Sequence, residues 1–453
     1  MTKRSILLGG LLLAVPMALN AQESPGPESI LPEPASSEPV PNPAPQASPT
    51  VGPVVQPLPV RQPLVQQWTV ADAQALLAVA EKIGEEGLSP SDYALPALRD
   101  AIAQGKGEAL DQAASKTFAW LAEDLRDGRT PMDARRQWFV EDPDADRMPT
   151  GTLMANALET HDVAGVLAGL NPTHPDYARL KQELAVTPET DKERRALIRA
   201  NMDRWRWLAR DLGNQYLITN VPEMQLRLTV NDKIVRTYRT IVGKPGRTAT
   251  PQLAEMVEGV IFNPTWTVPQ SIVKGEGLGA RLLANPASAR AKGYKVTRGA
   301  DGYVSVVQQP GPNNSLGLVK LDMPNPHAIF LHDTPSRNLF QQDNRALSHG
   351  CIRTERALEM AITMAIIGGG ASADEAVAIS KSREYTRVPM TKQVPVYITY
   401  FTMAQDIDGK LSTFADLYDR DAPVLKSFEQ PRKANRARRT DEEVVEIVDD
   451  LQT

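Results

Sequence analysis

The sequence predicts an α+β chain in which an N-terminal all-helical domain is followed by a mainly β domain. As far as residue 212, apolar residues recur three and four positions apart, which is the spacing of one helix face. From residue 215 onward, apolar and polar residues alternate in short runs bounded by turn residues, as is typical of strands. The length of 453 residues allows two or three domains.

Residues 1–21 have the form of a secretory signal peptide. Lys3 and Arg4 precede an apolar run at residues 6–19, and Ala21 is a small residue suited to a cleavage site. The run is short for a membrane span, although an uncleaved anchor is the alternative. In both cases we expect the folded part of the chain to lie outside the cytoplasm.

Residues 22–66 are predicted to form a proline-rich, disordered linker. Residues 24–63 hold 13 of the 37 prolines in the chain. Such a composition cannot bury enough apolar surface to offset the entropy lost on ordering, and proline favours extended conformations. We expect this segment to act as a tether.

Residues 67–186 are predicted to be a helical scaffold domain, because the apolar positions keep helical spacing and no cluster of acids, bases or nucleophiles appears. Residues 187–214 are predicted to be a linker helix. Thr190 and Glu193 match a capping box at its start.

Residues 215–428 are predicted to form the mainly β domain. Residues 270–302 are rich in Gly and Ala with a short helical stretch, and we interpret them as an inserted lid over a site. The strand-like residues 303–308 are expected to continue the main sheet. Residues 429–453 are highly charged and are predicted to be a disordered tail without a function.

The charge and the cysteine count exclude some classes of protein. Lys and Arg number 50 and Asp and Glu number 55, so the net charge of −5 argues against nucleic-acid binding. The single cysteine, Cys351, has no partner for an internal disulfide. A free thiol in an oxidising compartment calls for a chemical explanation, although an inert buried cysteine is the commoner case.

The neighbours of Cys351 favour a catalytic thiol. The sequence around it is Ser-His-Gly-Cys-Ile-Arg at residues 348–353, and His332 lies 19 positions earlier. A thiol attacks as its thiolate and therefore needs a base, for which His332 and His349 are both candidates. A helix expected directly after Cys351 would place its positive end near the sulfur. Gly350 allows close approach of a substrate, and the surrounding amides could bind an oxyanion.

These residues carry a family resemblance. The pattern H-x(15)-S-H-G-C-I-R resembles the signature of the L,D-transpeptidase (YkuD-type) catalytic domain. The segments LHDTPSRNLF, FNPTWTVP and IVGKPGRTATP are similar to the large periplasmic, YcbB-like branch. That branch often has a small peptidoglycan-binding domain between scaffold and catalytic domains, for which this sequence leaves no room.

The resemblance implies roles for individual residues. Cys351 would be the nucleophile and His332 the general base, with the backbone carbonyl of Asp333 orienting the imidazole. His349 and Gly350 would shape the oxyanion and substrate pocket. The same motif contains Ser348 and Arg353, which would position substrate or fix the loop.

Two aromatic residues, Trp266 and Phe330, match positions that line the donor cleft in this branch. Their alternative interpretation is packing within the sheet. His161, His174 and His327 have no partner visible in the sequence and are predicted to be ordinary polar residues.

The resemblance implies a cysteine acyltransferase that forms 3→3 cross-links in peptidoglycan. A tetrapeptide stem would acylate Cys351 with loss of D-Ala, and carbapenems would acylate the same thiol. Neither a metal nor an organic cofactor is expected. The expected partners are peptidoglycan stem peptides, with penicillin-binding proteins and D,D-carboxypeptidases as further candidates, and a membrane only if the signal is uncleaved.

Three alternatives to 3→3 cross-linking stay open. An L,D-carboxypeptidase or amidase would use water as the acceptor, and a lipoprotein-to-peptidoglycan ligase would use a lysine. The third alternative is a non-enzymatic wall-binding scaffold.

Overall fold

The computed structural model describes residues 64–231, 233–275, 277–434 and 437–444. The predicted signal peptide and nearly all of the proline-rich linker lie outside these residues. Across the described ranges, no helix is both long enough and apolar enough to cross a membrane.

The described chain begins with helices, as the sequence predicts. They are α1 (Val70–Lys82), α2 (Leu95–Gln104), α3 (Glu108–Asp127), α4 (Asp144–Arg147), α5 (Thr150–Glu159), α6 (Val163–Ala168), α7 (Pro175–Val186) and α8 (Lys192–Trp205).

The scaffold helices α1, α2, α3, α5 and α6 share one buried apolar cluster. Its members include Trp68, Leu76, Leu98 and Phe118, all fully buried. The helical spacing of such residues lets every helix turn one apolar face inward. The prediction of an all-helical N-terminal domain is therefore confirmed.

Helices α7 and α8 belong to a different apolar cluster, which joins them to the β domain. In that cluster Trp205 of α8 stacks on Phe401, with ring centroids 4.5 Å apart. The cap of α8 is Asp191, whose side chain accepts from the Arg194 N–H, so the predicted capping box beginning at Thr190 is wrong by one residue.

The rest of the described chain is mainly β with five α-helices. The elements are β1 (Gln215–Asn220), β2 (Gln225–Val230), β3 (Lys233–Gly243), β4 (Leu253–Phe262), β5 (Trp266–Thr267), α9 (Leu278–Ala284), α10 (Pro286–Ala291), β6 (Tyr294–Arg298), β7 (Val304–Gln308), β8 (Val319–Asp322), β9 (Leu331–His332), β10 (Ala346–Ser348), β11 (Ile352–Thr354), α11 (Ala357–Ile367), α12 (Ala373–Ser382), β12 (Thr386–Thr399), β13 (Met403–Gln405), β14 (Leu411–Thr413) and α13 (Asp421–Phe428).

The main sheet closes on itself through β3. Its strand order is β10-β3-β11-β9-β8-β4-β12-β1-β2, and β2 pairs again with β3. The first half of β3 pairs with β2, whereas its last residues pair with β10 and β11. Helix α11 adds buried Met360 and Met364 to the core of this domain. The sequence prediction of a mainly β domain is confirmed.

A small subdomain is inserted between β4 and β8. It consists of the sheet β5-β7-β6 with α9 and α10 and has its own apolar cluster, which includes Trp266, Val306 and Leu316. The insertion is therefore longer than the predicted lid at residues 270–302. The strand at residues 304–308 belongs to it and not to the main sheet, because alternation predicts a strand without specifying its partner.

The C-terminal segment packs against the scaffold. The Arg432 side chain is 1% exposed and pairs with Asp124 at 2.9 Å and Glu123 at 2.7 Å, both on α3. Farther along, the Gln137 N–H donates to Glu442 at 2.6 Å. The prediction of a disordered tail from residue 429 does not fit these described contacts. The charged composition of this segment predicted that it is exposed to solvent. The sequence does not show that Arg432 pairs with a carboxylate about 300 positions earlier in the chain.

The ion pair of Arg432 supplies a stability prediction. Replacing Arg432 with Met leaves Asp124, which is fully buried, without its cation, and we expect a loss of about 3–5 kcal/mol in the free energy of unfolding. Urea unfolding followed by circular dichroism measures this loss. The matched control is Arg438→Met, which breaks a half-exposed pair with Asp146 and should cost about 0–1 kcal/mol. Equal effects of the two substitutions would contradict the predicted role of Arg432.

Candidate active site

Three short strands bring His332 next to the loop that carries Cys351. Strand β9 pairs in parallel with β11, with Leu331 opposite Ile352 and His332 opposite Arg353. Cys351 directly precedes β11. The pairing of β9 with β11 thus brings together residues 19 positions apart, and both Cys351 and His332 line one cavity of about 350 Å³.

The thiol of Cys351 is partly exposed and reaches this cavity. Its Sγ lies 3.6 Å from the carbonyl oxygen of Ala328. The residue is followed by strand β11, and the next helix, α11, begins only at Ala357. The predicted helix directly after Cys351 is therefore wrong, and no helix dipole at that position acts on the sulfur.

The imidazole of His332 is buried and held in one tautomer. The residue is 5% exposed, and its Nδ1 lies 2.5 Å from the carbonyl oxygen of Asp333. Because a carbonyl oxygen only accepts hydrogen bonds, Nδ1 must carry the proton. The lone pair of Nε2 is then left to act as a base.

His332 lies in a row of three side chains across the sheet. Lys320 on β8 pairs with His332 on β9, which pairs with Arg353 on β11. Side chains opposite one another on adjacent strands lie on the same face. The imidazole therefore has a cation on each side.

Burial is the main cause that lowers the pKa of His332 to about 3, and the charges of Arg353 and Lys320 lower it further. The carbonyls of Asp333 and Leu316 act in the opposite direction. The imidazole is consequently neutral throughout the physiological pH range.

Lys320 is itself affected by burial, which lowers its pKa, while nearby Cys351 and Asp322 raise it. Its Nζ lies 3.5 Å from the ring centroid of Phe330. This contact holds the ammonium over an aromatic face. The cation is thus within electrostatic range of both the thiol and the imidazole.

The loop before Cys351 is closed by Ser348. Its Oγ donates to the Cys351 carbonyl at 2.6 Å and accepts from the Gly350 N–H at 3.2 Å. Gly350 has a φ of +119°, a conformation that other residues rarely adopt. Ser348 and Gly350 therefore fix the loop, and the Gly350 amide that the sequence analysis assigned to the oxyanion pocket is occupied by Ser348.

Thr250 also holds this loop in place. The sequence did not predict this role. The Thr250 hydroxyl donates to the Gly350 carbonyl at 2.8 Å and accepts from the Gly243 N–H at 2.9 Å. Tyr418 donates to the Gly243 carbonyl at 2.6 Å. The quoted segment IVGKPGRTATP contains both Gly243 and Thr250, but sequence spacing gave no reason to connect it with Cys351.

The cavity has one wall from the insertion and one from the main domain. The insertion side contributes Lys292, Tyr294, Gln308, Asn313 and Ser315. The main domain contributes Thr334, Pro335 and Ser336 besides His332, Ser348, His349, Cys351 and Arg353. No carboxylate is among these described lining residues, so the cavity is cationic through Lys292 and Arg353.

Neither Trp266 nor Phe330 is among the residues that line this cavity. Trp266 is 6% exposed and lies in the apolar cluster of the insertion. Phe330 packs against the main core and beneath Lys320. Both aromatic side chains pack against other apolar residues and do not line the cavity. The sequence predicts that they lie on strands but does not show which side of the strand faces the cavity.

No group of three or more His, Cys, Asp or Glu side chains suited to a metal ion occurs within the described ranges.

Comparisons with known proteins agree with the geometry. Residues 214–396 match the family of L,D-transpeptidase catalytic domains, YkuD, and residues 66–184 match the Scaffold domain family. A curated protein of Haemophilus influenzae named "Putative L,D-transpeptidase" is 25% identical over 303 residues. The match covers 64% of this chain and 60% of that protein, so this chain spans about three fifths of the length of its relative.

Solved structures give weaker similarities. An L,D-transpeptidase from Mycobacterium smegmatis is 14% identical, over 41% of this chain and 58% of that chain, with a TM-score of 0.21. L,D-transpeptidase 1 of Mycobacterium tuberculosis is 13% identical, over 41% and 61%, with a TM-score of 0.18. Scores this low carry no argument, and the assignment depends on the family matches.

The neutral imidazole predicts a pH titration. Because the pKa of His332 is lowered to about 3, its ring signals in a two-dimensional NMR spectrum should not shift between pH 8 and about pH 4.5. The His332→Asn variant, in which those signals vanish, assigns them among the five histidines of the chain. A titration midpoint near 6.5 would show that burial and the two cations do not lower the pKa of His332.

The bridge made by Thr250 predicts a difference between two substitutions. Thr250→Val keeps the side-chain volume but leaves the Gly243 N–H and the Gly350 carbonyl without their partner, a penalty of about 1–3 kcal/mol. We expect thiol alkylation or carbapenem acylation of Cys351 to slow about tenfold. Thr250→Ser keeps the hydroxyl and should change the rate less than threefold. A Thr250→Val variant with the wild-type rate would exclude this support.

Proposed function

We propose that this chain, which contains a YkuD L,D-transpeptidase catalytic domain and a Scaffold domain, forms 3→3 cross-links in peptidoglycan through a thioester at Cys351. The observation that carries the proposal is the pair formed by Cys351 and His332. The thiol opens into a cavity that is also lined by His332, whose imidazole is neutral and is held at Nδ1 by the Asp333 carbonyl, so that Nε2 carries no proton.

In the first half of the proposed reaction, Cys351 attacks the carbonyl of the third residue of a tetrapeptide stem. The thiol proton passes to His332 Nε2 as the carbon–sulfur bond forms. The tetrahedral intermediate then collapses, the carbon–nitrogen bond to D-Ala breaks, and His332 returns its proton to the leaving amine. A thioester and free D-Ala result.

In the second half, the side-chain amine of diaminopimelate on another stem attacks the thioester. His332 takes the amine proton and delivers it to the departing sulfur, which restores the Cys351 thiol. No external reductant, oxidant or energy source is required, because one acyl bond replaces another.

The charge of the cavity fits such a donor. Stem peptides carry carboxylates, and Lys292 and Arg353 line the cavity from opposite walls. Lys320 stands behind the thiol. Together these cations would attract the donor and stabilise the thiolate that forms transiently.

The proposal places the chain in the periplasm, where its substrate lies. D,D-carboxypeptidases would supply the tetrapeptide donors, and penicillin-binding proteins would build the wall around them. The acceptor distinguishes cross-linking from hydrolysis or lipoprotein ligation, which would proceed through the same thioester.

The test is mass spectrometry of products after purified chain is incubated with a disaccharide-tetrapeptide. Wild type should give a dimer that has lost one D-Ala. Cys351→Ala should give none while its circular dichroism stays unchanged. His332→Ala should slow acylation roughly 10²–10⁴-fold as expected for a lost general base.

The matched control for the histidine is His161→Ala, which alters an exposed imidazole in the scaffold and should leave the rate unchanged. Tripeptide without dimer would identify a carboxypeptidase. A Cys351→Ala variant that still forms dimer would overturn the assignment of the nucleophile, and wild type that forms neither product nor carbapenem adduct would favour a non-enzymatic scaffold.

A further inference from the structure

A second cavity is lined by residues from both the helical part of the chain and the main sheet. It has a volume of about 460 Å³ and shares no lining residue with the active-site cavity. It is bounded by the start of α7, the end of α8, strands β1 and β2, and the turn after β13. Its lining includes His174, Asp176, Trp205, Asn220, Arg227 and Asp406.

One wall of this second cavity is aromatic and rigid. The ring of His174 stacks on Trp205 at a centroid distance of 4.1 Å, and Trp205 stacks on Phe401 at 4.5 Å. Burial lowers the pKa of His174 to about 4, so its imidazole is neutral. This wall therefore contributes apolar surface and no charge.

Asp176 presents a buried carboxylate to the cavity without a protein partner. It is 7% exposed, and its side chain makes no hydrogen bond or ion pair with any residue in the described ranges. Burial raises its pKa to about 6, while the charge of Arg227 acts in the opposite direction. An unpaired buried carboxylate is costly, so such a group calls for a ligand that completes it.

Arg227, also 7% exposed, has hydrogen-bonding capacity left over. Its Nη2 donates to both oxygens of Glu223, at 2.6 and 2.7 Å, and to the Gln405 carbonyl at 2.8 Å. Its Nε is buried without a hydrogen-bond partner among the described residues, and its Nη1 donates to no acceptor there. Burial raises the pKa of Glu223 to about 7, so near neutral pH this carboxyl cancels the guanidinium charge only in part.

Asp176 and Arg227 thus attract one another electrostatically yet form no direct ion pair. These two opposite charges are both nine-tenths buried, whereas the other charged lining residues, Lys233, Asp406 and Asp408, are more exposed. A bare cation bound there would meet Arg227, and a bare anion would meet Asp176. A ligand with an ammonium and a carboxylate close together satisfies both groups.

We propose that this cavity binds a zwitterionic amino-acid group, with its ammonium at Asp176 and its carboxylate at Nη1 of Arg227. If the chain acts on peptidoglycan, as the proposed function states, the matching group is the free end of diaminopimelate on a stem peptide. This identification rests on the proposed function, whereas the chemistry of the cavity does not. The site would bind peptidoglycan at a position separate from the active-site cavity.

Isothermal titration calorimetry of the purified chain tests the proposal with three probes. They are meso-diaminopimelate, 1,5-diaminopentane, which lacks the carboxylates, and pimelate, which lacks the ammonium groups. We expect diaminopimelate to bind at least about tenfold more tightly than either analogue, because each analogue leaves one buried charge unsatisfied. Equal binding of diaminopentane or pimelate, or no binding of diaminopimelate, overturns the proposal and leaves a water-filled cavity.

Two matched substitutions locate the site. Asp176→Asn should weaken diaminopimelate binding about tenfold or more. Asp374→Asn removes the same charge from an exposed residue of α12 that does not line the cavity, and it should change the affinity less than twofold. Equal effects of the two substitutions would contradict a specific role for Asp176.

Stability distinguishes a ligand-binding Asp176 from a structural one. Folding raises the pKa of Asp176 from 3.8 to about 6, so the ionised carboxylate disfavours the folded state, and stability falls as the pH rises through this range. Asp176→Asn should therefore keep or raise the melting temperature at pH 7.5 while it weakens binding. A lower melting temperature together with lost binding would identify a structural residue and overturn the proposal.

The pH dependence of affinity provides a measurement that needs no stable variant. Protonation of Asp176 should weaken diaminopimelate binding below about pH 6. The other titratable or charged groups that adjoin the cavity are His174, Glu223, Arg227, Lys233, Asp406 and Asp408. Protonation of Glu223 near pH 7 frees Arg227 and acts in the opposite direction. Affinity that rises continuously from pH 8 to pH 5 would overturn the role of Asp176.

The two proposals fail separately. Cys351→Ala should abolish product formation and leave diaminopimelate binding sensitive to Asp176. Intact binding without any turnover in wild type would contradict the proposed function alone. Turnover without binding in the second cavity would contradict this inference alone.

Discussion

The imidazole of His332 lies between Lys320 and Arg353 in a row that crosses three strands, and the chemistry of the site depends on this row. Burial and two flanking cations keep the imidazole neutral, so it can accept a proton from a thiol that approaches from the next loop. The same cations favour negative charge on that thiol and on an incoming carboxylate. The arrangement of these strands thus sets the protonation state of His332 and the positive charge around Cys351.

Strand β3 supports this row from the neighbouring position in the sheet. Strand β3 pairs with β2 on one side and with β11 on the other, which fixes β11 against β9. Its last residue, Gly243, is joined through Thr250 to the loop at Gly350, and Tyr418 near the C-terminus of the domain holds Gly243 from behind. Segments distant in sequence therefore share the task of fixing the loop before Cys351.

The sequence was sufficient for the class of fold, because helical spacing and alternation are local signals. The free thiol marked Cys351, but the residues alone left His332 and His349 as alternative bases, and only the family resemblance favoured His332. The sequence did not predict the features that depend on a contact with a residue distant in the chain. Trp266 packs inside the insertion instead of lining the cavity, and Arg432 is buried by a carboxylate far away in the chain. Thr250 was overlooked for the same reason, since its role exists only once β3 and the catalytic loop are adjacent.

Some buried charges in the described structure form ion pairs and others do not. We interpret the paired charges as structural and the unpaired ones as functional. Arg432 and Asp124 are buried together, so each offsets the desolvation cost of the other and ties the C-terminal segment to the scaffold. Lys320 and Asp176 are largely buried without an ion pair in the described structure. Folding alone gives no reason to retain such groups, because neutral side chains would be more stable there. Lys320 lies near Cys351 and Asp176 lines the second cavity, where the proposed ligands, an anion and a zwitterion, would supply the missing charge.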